Sequence, residues 1–175
     1  MKREQGFTLI ELLIVVAIIS IIAAIAVPGL MRAKMSGNET AALADLRQIT
    51  VAETMYSAGC GAGGYAPLLT TLGVPAPGST EAFLSQPLTS SASPVKENYT
   101  FNVVAGVSPA AVDVANDCNG TMTKTGYYAK AQPLSLGSSG SRSFATNASA
   151  TIWQNNSATA PAEPFTIGTD TPIGG

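Results

Sequence analysis

The sequence predicts an α+β protein in which one long N-terminal α-helix packs on a C-terminal antiparallel β-sheet head. Three observations carry that reading. Twenty uncharged, mostly aliphatic residues run from Leu12 to Met31 and lead into an amphipathic stretch at helical spacing. Glycines at 59, 61, 63 and 64 then end the helical pattern. Beyond them, short alternating segments are separated by Gly, Pro, Ser and Asn, as antiparallel strands require.

Composition narrows the function before any motif is considered. The 175 residues are 46% hydrophobic but only 11% charged, which fits a membrane segment joined to a loop-rich exported domain. A net charge of −2, with few basic residues after Lys34, leaves no electrostatic footprint for nucleic acid. The chain has no His, which removes the commonest general base, the His-dependent nucleophile arrangements and most zinc sites. Its eleven Asp and Glu are scattered singly, and no phosphate-binding glycine loop or haem motif is present. An enzyme is not expected, and no cofactor or metal is assigned.

The first element is the apolar helix. Twenty residues at about 1.5 Å each cover roughly 30 Å, the hydrocarbon thickness of a bilayer. Lys2 and Arg3 precede it and Arg32 and Lys34 follow, so counting charges does not fix its orientation. The short leader places the N-terminus in the cytoplasm and the rest outside. Glu11 is the only charge between Phe7 and Met31. An ionised acid at mid-membrane costs on the order of 3 kcal/mol, less near the edge, so such a group needs a partner. A plain signal anchor does not explain Glu11. Nor does a secretory signal peptide cut after Ala24-Ile25-Ala26, which would release a soluble binding protein beginning at Val27.

A third reading does. The stretch "KREQGFTLIELLIVVAIISIIAAIAVP" resembles the class III signal of type IV pilins and type II secretion pseudopilins. The resemblance covers about thirty residues and implies the pilin fold. It implies that a prepilin peptidase cuts between Gly6 and Phe7 and that Phe7 becomes the N-methylated first residue. Glu11 and Pro28 then fall on the family's assembly glutamate and proline. The partners implied are the peptidase, an inner-membrane assembly platform, membrane lipid before assembly, and further copies of the chain in a helical filament. The location implied is a single pass of the inner membrane, then a surface pilus or a periplasmic pseudopilus, a choice the sequence leaves open.

Cleavage at Gly6 also supplies the missing partner. The freed amine of Phe7 has a reference pKa of about 8 and stays protonated when methylated. Glu11 lies one turn away and can meet its own terminus; the resemblance implies that it meets the Phe7 amine of a neighbour. One opposite-charge pair in low dielectric fixes the offset of two apolar helices that otherwise slide freely. Pro28 lacks an N–H and crowds the carbonyl of Ala24, so a kink or an unwound turn is expected there. Family members often have glycine where Ser20 stands, and the segment before the proline is often melted in their filaments.

Four segments follow: residues 1–6 as leader, 7–31 as transmembrane and filament-core helix, 32–58 as its amphipathic second half, and 59–175 as the head. A helix to about Ser57 would be roughly 75 Å long. Ala42, Leu43, Leu46 and Ile49 form its apolar side, with Asp45, Arg47 and Gln48 placed elsewhere around the axis. Gly37 predicts a bend or loosened turn. Next, "GYAPLLTTL" resembles the short helical turn that packs Leu residues under the sheet in related pilins. In "NYTFNVVAGV", Tyr99, Phe101, Val103 and Val107 alternate with polar residues as in a half-buried strand. "GYYAKAQPL" reads as a second strand. "SRSFATNASATIWQN" reads as a hairpin turning near Asn147-Ala148-Ser149, with Phe144 and Trp153 as core residues. Relatives often carry Asp and Gly in that turn, where this chain has Asn147 and Ala150. The remaining tail reads as a surface strand.

Cys60 and Cys118, two cysteines in an exported domain, suggest one disulfide; two free thiols are the alternative. Major pseudopilins commonly hold calcium through carboxylates of a C-terminal loop. Asp113, Asp117 and Asp170 are the acids on offer, but their spacing matches no oxygen-ligand set and they read as surface acids. Asn98, Asn119 and Asn147 head glycosylation-type triplets of the kind that arise by chance in so Ser/Thr-rich a chain.

Overall fold

A computed structural model of the chain describes residues 7–107 and 109–173. Gly6 and the rest of the expected leader lie outside the described residues. The chain divides into two compact units, Met1–Lys34 and Met35–Gly175. One helix, α1 (Leu9–Gly59), contributes to both.

In the first unit every described residue is exposed, and the aliphatic side chains of 9–31 are without packing partners in the single chain. The helix is long and apolar enough to cross a membrane. It is continuous through Pro28, and in the second unit through Gly37, so neither the unwound turn expected at the proline nor the loosened turn expected at the glycine is present. At Ser20 the hydroxyl donates to the Val16 carbonyl at 2.8 Å, which satisfies the side chain without breaking the helix. Just after Gly37, side-chain bonds to the head restrain the chain: Asn38 Nδ2 donates to the Ser139 carbonyl at 2.8 Å.

The second unit is the head. A six-stranded antiparallel sheet has the order β1 (Val95–Lys96), β2 (Tyr99–Ala105), β5 (Tyr127–Pro133), β6 (Ser143–Asn147), β7 (Ile152–Asn155), β8 (Thr171–Ile173). A separate ribbon pairs β3 (Asp113–Asn116) with β4 (Met122–Lys124). Alternation decides the inner face. Tyr99, Phe101 and Val103 of β2 are buried, and so are Tyr127, Ala129 and Ala131 of β5, with Phe101 opposite Ala131. Against them lie Ala42, Leu46, Ile49, Ala52 and Tyr56 of α1, one side of a 3.6-residue repeat. The short helix α2 (Leu69–Leu72) adds Leu69 and Leu72 to the same core.

Two inward assignments need correction. Val107 lies beyond the end of β2 and is 62% exposed. Trp153 is half-buried on the outer face, stacked on Phe165 at 5.3 Å, and its neighbour Ile152 takes the core position. The β6–β7 register explains this: Trp153 pairs with Ala145, while Phe144 and Thr146 face inward with Ala131 and Ala129. The outer face is covered by the stretch after β7, where Tyr128 donates to the Pro161 carbonyl at 2.6 Å and Ser143 to that of Ser157 at 2.5 Å.

Two turns carry non-glycine residues at positive φ. Glu97 (48°) and Asn98 (61°) join β1 to β2 in the manner of a type I′ turn, and Ala150 (62°) closes the β6–β7 turn. There Asn147 Oδ1 accepts from the Ser149 N–H at 3.0 Å and the Ala150 N–H donates to the Asn147 carbonyl at 2.9 Å. An alanine in this region is disfavoured by roughly 1 kcal/mol relative to glycine. Ala150→Gly is therefore expected to stabilise the head by about 0.5 kcal/mol after the added unfolded-chain entropy is subtracted. Thermal unfolding checks this; a lowered midpoint contradicts it.

Candidate functional site

The first group of interest is the start of α1. Thr8 precedes the first helical residue, and Glu11 Oε2 accepts hydrogen bonds from the Thr8 N–H at 2.9 Å and the Thr8 hydroxyl at 2.7 Å. In return the Glu11 N–H donates to Thr8 Oγ1 at 3.3 Å. This is a reciprocal capping box, which satisfies donors that a helix end leaves orphaned. The signal was present in the sequence as Thr-x-x-Glu before an apolar run, and Thr8 is the participant that a search for charged partners alone overlooks. Glu11 Oε1 takes no part in the box. Phe7 is 85% exposed beside it.

The second group couples α1 to the head within residues 35–175. All three acids of this stretch of helix turn inward. Glu39 is buried; its Oε1 accepts from the Ser141 N–H and hydroxyl, both at 2.7 Å, and its Oε2 from Arg142 Nε at 2.8 Å and Nη2 at 2.5 Å. Burial raises this carboxyl, but the Ser141 donors and the Arg142 guanidinium outweigh it and hold Glu39 below the ordinary glutamate value. Asp45, placed by the sequence away from the helix's apolar side, is also buried and pairs with Lys96 at 2.6 Å.

Glu53 is fully buried. Its Oε2 accepts from the Ala66 N–H at 2.9 Å, and its Oε1 has no partner. Burial pushes its pKa up to about 8, with the Ala66 N–H pulling weakly the other way. The phenols of Tyr56 and Tyr127 are its titratable neighbours, and both are themselves raised by burial. The folded chain thus keeps a proton on Glu53 that the unfolded chain releases near 4.5. Its contribution is fully present below that value and is lost as pH rises toward 8, by an amount on the order of a few kcal/mol. Glu53→Gln should flatten that slope and raise the unfolding midpoint at pH 8 while leaving it nearly unchanged at pH 4. Parallel melting curves for the two proteins across this range would contradict the assignment.

At the end of α1 the structure joins Cys60 to Cys118 by a disulfide, with Cα atoms 5.0 Å apart. The Cys118 N–H also donates to the Cys60 carbonyl at 2.9 Å, and Tyr56 donates its hydroxyl proton to Asp117 Oδ2 at 2.6 Å. Asp117 Oδ1 accepts from the N–H groups of Asn119 and Thr121, shaping the β3–β4 turn. Asp117 and Asp170 are therefore buried turn-forming residues, which corrects their reading as surface acids, and Asp113 is the exposed one, paired with Lys124. Among the described residues no three His, Cys, Asp or Glu are grouped to hold a metal ion.

The family model described as the prokaryotic N-terminal methylation motif matches residues 1–27. The type IV wide pilus major component of Thermus thermophilus is 46% identical over 56 residues, which are 32% of this chain and 43% of that protein. The type IV major pilin of Myxococcus xanthus is 43% identical over 54 residues, 31% of this chain and 24% of its own length. The type II secretion system core protein G of Pseudomonas aeruginosa is 40% identical over 55 residues, 31% and 39% of the two chains. In each case the match spans less than half of the relative's length. No solved structure matches this chain.

Proposed function

We propose, for a chain that belongs through its N-terminal methylation motif and apolar helix to the family of type IV pilins and type II secretion pseudopilins, that it is the structural subunit of a pilus-like filament. The observation that carries the proposal is the pairing of that motif, at residues 1–27, with a helix whose aliphatic side chains from Leu9 to Met31 stand exposed in the single chain. Exposing twenty such residues to water costs tens of kcal/mol at about 25 cal/mol per Å². They must therefore lie in lipid or against one another.

The sequence of events is mechanical. Residues 1–6 are removed by a prepilin peptidase between Gly6 and Phe7, and the Phe7 amine is methylated. Residues 7–31 cross the inner membrane with the N-terminus in the cytoplasm, then leave it at an assembly platform as the helices stack. Burial among helices replaces burial in lipid. Residues 32–58 carry the head, 59–175, on the outside of the polymer. In assembly Glu11 keeps its capping bonds through Oε2 and offers Oε1 to the Phe7 ammonium of a neighbour. No step makes or breaks a bond at the head, so its role is structural rather than catalytic.

The likeness to core protein G supports a second reading as a periplasmic pseudopilin. A head rich in Ser, Thr and Asn and poor in charge favours a fibre exposed outside the cell. Mass spectrometry of the mature chain tests the class: a methylated Phe7 terminus is expected, and a terminus at Val27 overturns it in favour of a soluble exported protein. Electron microscopy of fibres sheared from cells, with identification of their subunit, separates pilus from pseudopilus.

A further inference from the structure

Glu53, Tyr56 and Cys60 share one face at the end of α1, and each holds a segment that follows the helix. Cys60 and Tyr56 take the β3–β4 turn, through the disulfide to Cys118 and the bond to Asp117 Oδ2 at 2.6 Å. Glu53 takes the strap that leaves the helix, residues 61–66, through the 2.9 Å bond from the Ala66 N–H. The strap in turn pairs with β4: the Tyr65 N–H donates to the Lys124 carbonyl at 2.8 Å, and the Lys124 N–H to the Tyr65 carbonyl at 3.0 Å. Gly64 makes that approach possible, since a Cβ there would lie 2.3 Å from Thr123 Oγ1.

Of these ties, the one at Glu53 depends on a proton. The side chain is fully buried, Oε2 has the single Ala66 donor, and Oε1 has none. Ionised, it is a buried charge with one hydrogen bond, where a stable buried carboxylate takes several. None of the ion pairs among the described residues includes it. The groups around it are the phenols of Tyr56 and Tyr127, both raised by burial and therefore neutral, and Tyr65, whose ring lies 5.1 Å from that of Tyr127. Asp117, bonded to Tyr56, is an acid, and Lys124 Nζ is paired with Asp113.

The helix is fixed here by Ile49, Ala52 and Tyr56 in the core, and α2 by Leu69 and Leu72. The segment between them is the part that can move: it contains three glycines, and Ala62 sits at a φ of 52°. We propose that residues 61–66 form a proton-gated flap: when Glu53 ionises, the strap lifts from α1, gives up its pairing with Lys124 and lets water reach the carboxylate. The disulfide keeps the β3–β4 turn in place as it does so. One proton leaves with each opening, so the open form gains about tenfold per pH unit between the ordinary value of 4.5 and the buried value of about 8. The device concerns contacts within the head and stands whether or not the chain polymerises.

Amide exchange of the full-length chain in detergent, read at Tyr65, Ala66 and Lys124 and across β2 and β5, tests this. Divided by the intrinsic rate, exchange at the three amides should rise about a hundredfold from pH 5 to pH 7. It should also be faster throughout than in the central strands, which open only with the whole head. Glu53→Gln keeps an acceptor for the Ala66 N–H but cannot ionise, so it should remove the rise and leave the strap slow at pH 7. Two results overturn the proposal: strap exchange no faster than that of β2 and β5, which makes the opening global, or a rise that persists in the Gln variant. If that variant does not fold, the unsubstituted chain decides. A flat profile at Ala66 between pH 5 and pH 7 overturns the flap, and the hundredfold rise in amides that outpace the central strands bears it out.

Discussion

On the proposed filament reading, Glu11→Ala is expected to leave the chain inserted in the membrane and its leader removed, but to reduce filaments by two orders of magnitude or more. Removing one partner of a buried ion pair costs about 3–5 kcal/mol, because the other charge is left unsatisfied. At about 1.4 kcal/mol per tenfold, that is a factor of hundreds to thousands for each subunit added. The capping box allows a sharper comparison. Glu11→Gln keeps a side-chain oxygen able to accept from the Thr8 N–H and hydroxyl, the bonds now made at 2.9 and 2.7 Å, but carries no charge. If the residue acts through pairing with a neighbour's terminus, Gln fails as Ala does. If it acts by capping its own helix, Gln assembles normally and Ala loses only about 1 kcal/mol of local helix stability. Quantifying sheared fibre against membrane-bound, processed subunit separates the two.

Removing the disulfide gives the second large effect, on stability rather than assembly. Cys60 and Cys118 are 58 residues apart, and closing such a loop stabilises by about 4 kcal/mol in the chain-entropy model. For a domain of this size that corresponds to a fall of roughly 10 °C in unfolding midpoint for the Cys60→Ser, Cys118→Ser protein. The Tyr56–Asp117 bond and the Cys118-to-Cys60 backbone bond hold the same corner, so the reduced head should still fold. Calorimetry of both proteins checks this, and a fall below about 2 °C contradicts it.

Much of this architecture is legible in the sequence because its signals are local. The apolar run ends where glycines follow, β2 and β5 alternate, and Asn147 marks its own turn. What was not legible depends on partners remote in sequence. Glu39, Asp45 and Glu53 look like solvent-facing charges on an amphipathic helix. Glu39 is buried only because Arg142 and Ser141 reach it across about a hundred residues, and Asp45 because Lys96 does. The choice between Ile152 and Trp153 as the core residue is a one-residue register, set by pairing with Ala145 rather than by hydrophobicity. The β3–β4 ribbon is short and carries a register shift between Asp113 and Asn116, so no period-two pattern announces it. At the assembly segment the acid itself stands out as an anomaly, whereas Thr8 is noticed only when the helix start is read as a cap.

The most direct test is a reconstruction of the polymer at side-chain resolution. The Glu11 carboxylate is expected within about 4 Å of the Phe7 amine of an adjacent subunit, the usual reach of an ion pair. A carboxylate with no cationic partner, facing lipid or solvent, contradicts it.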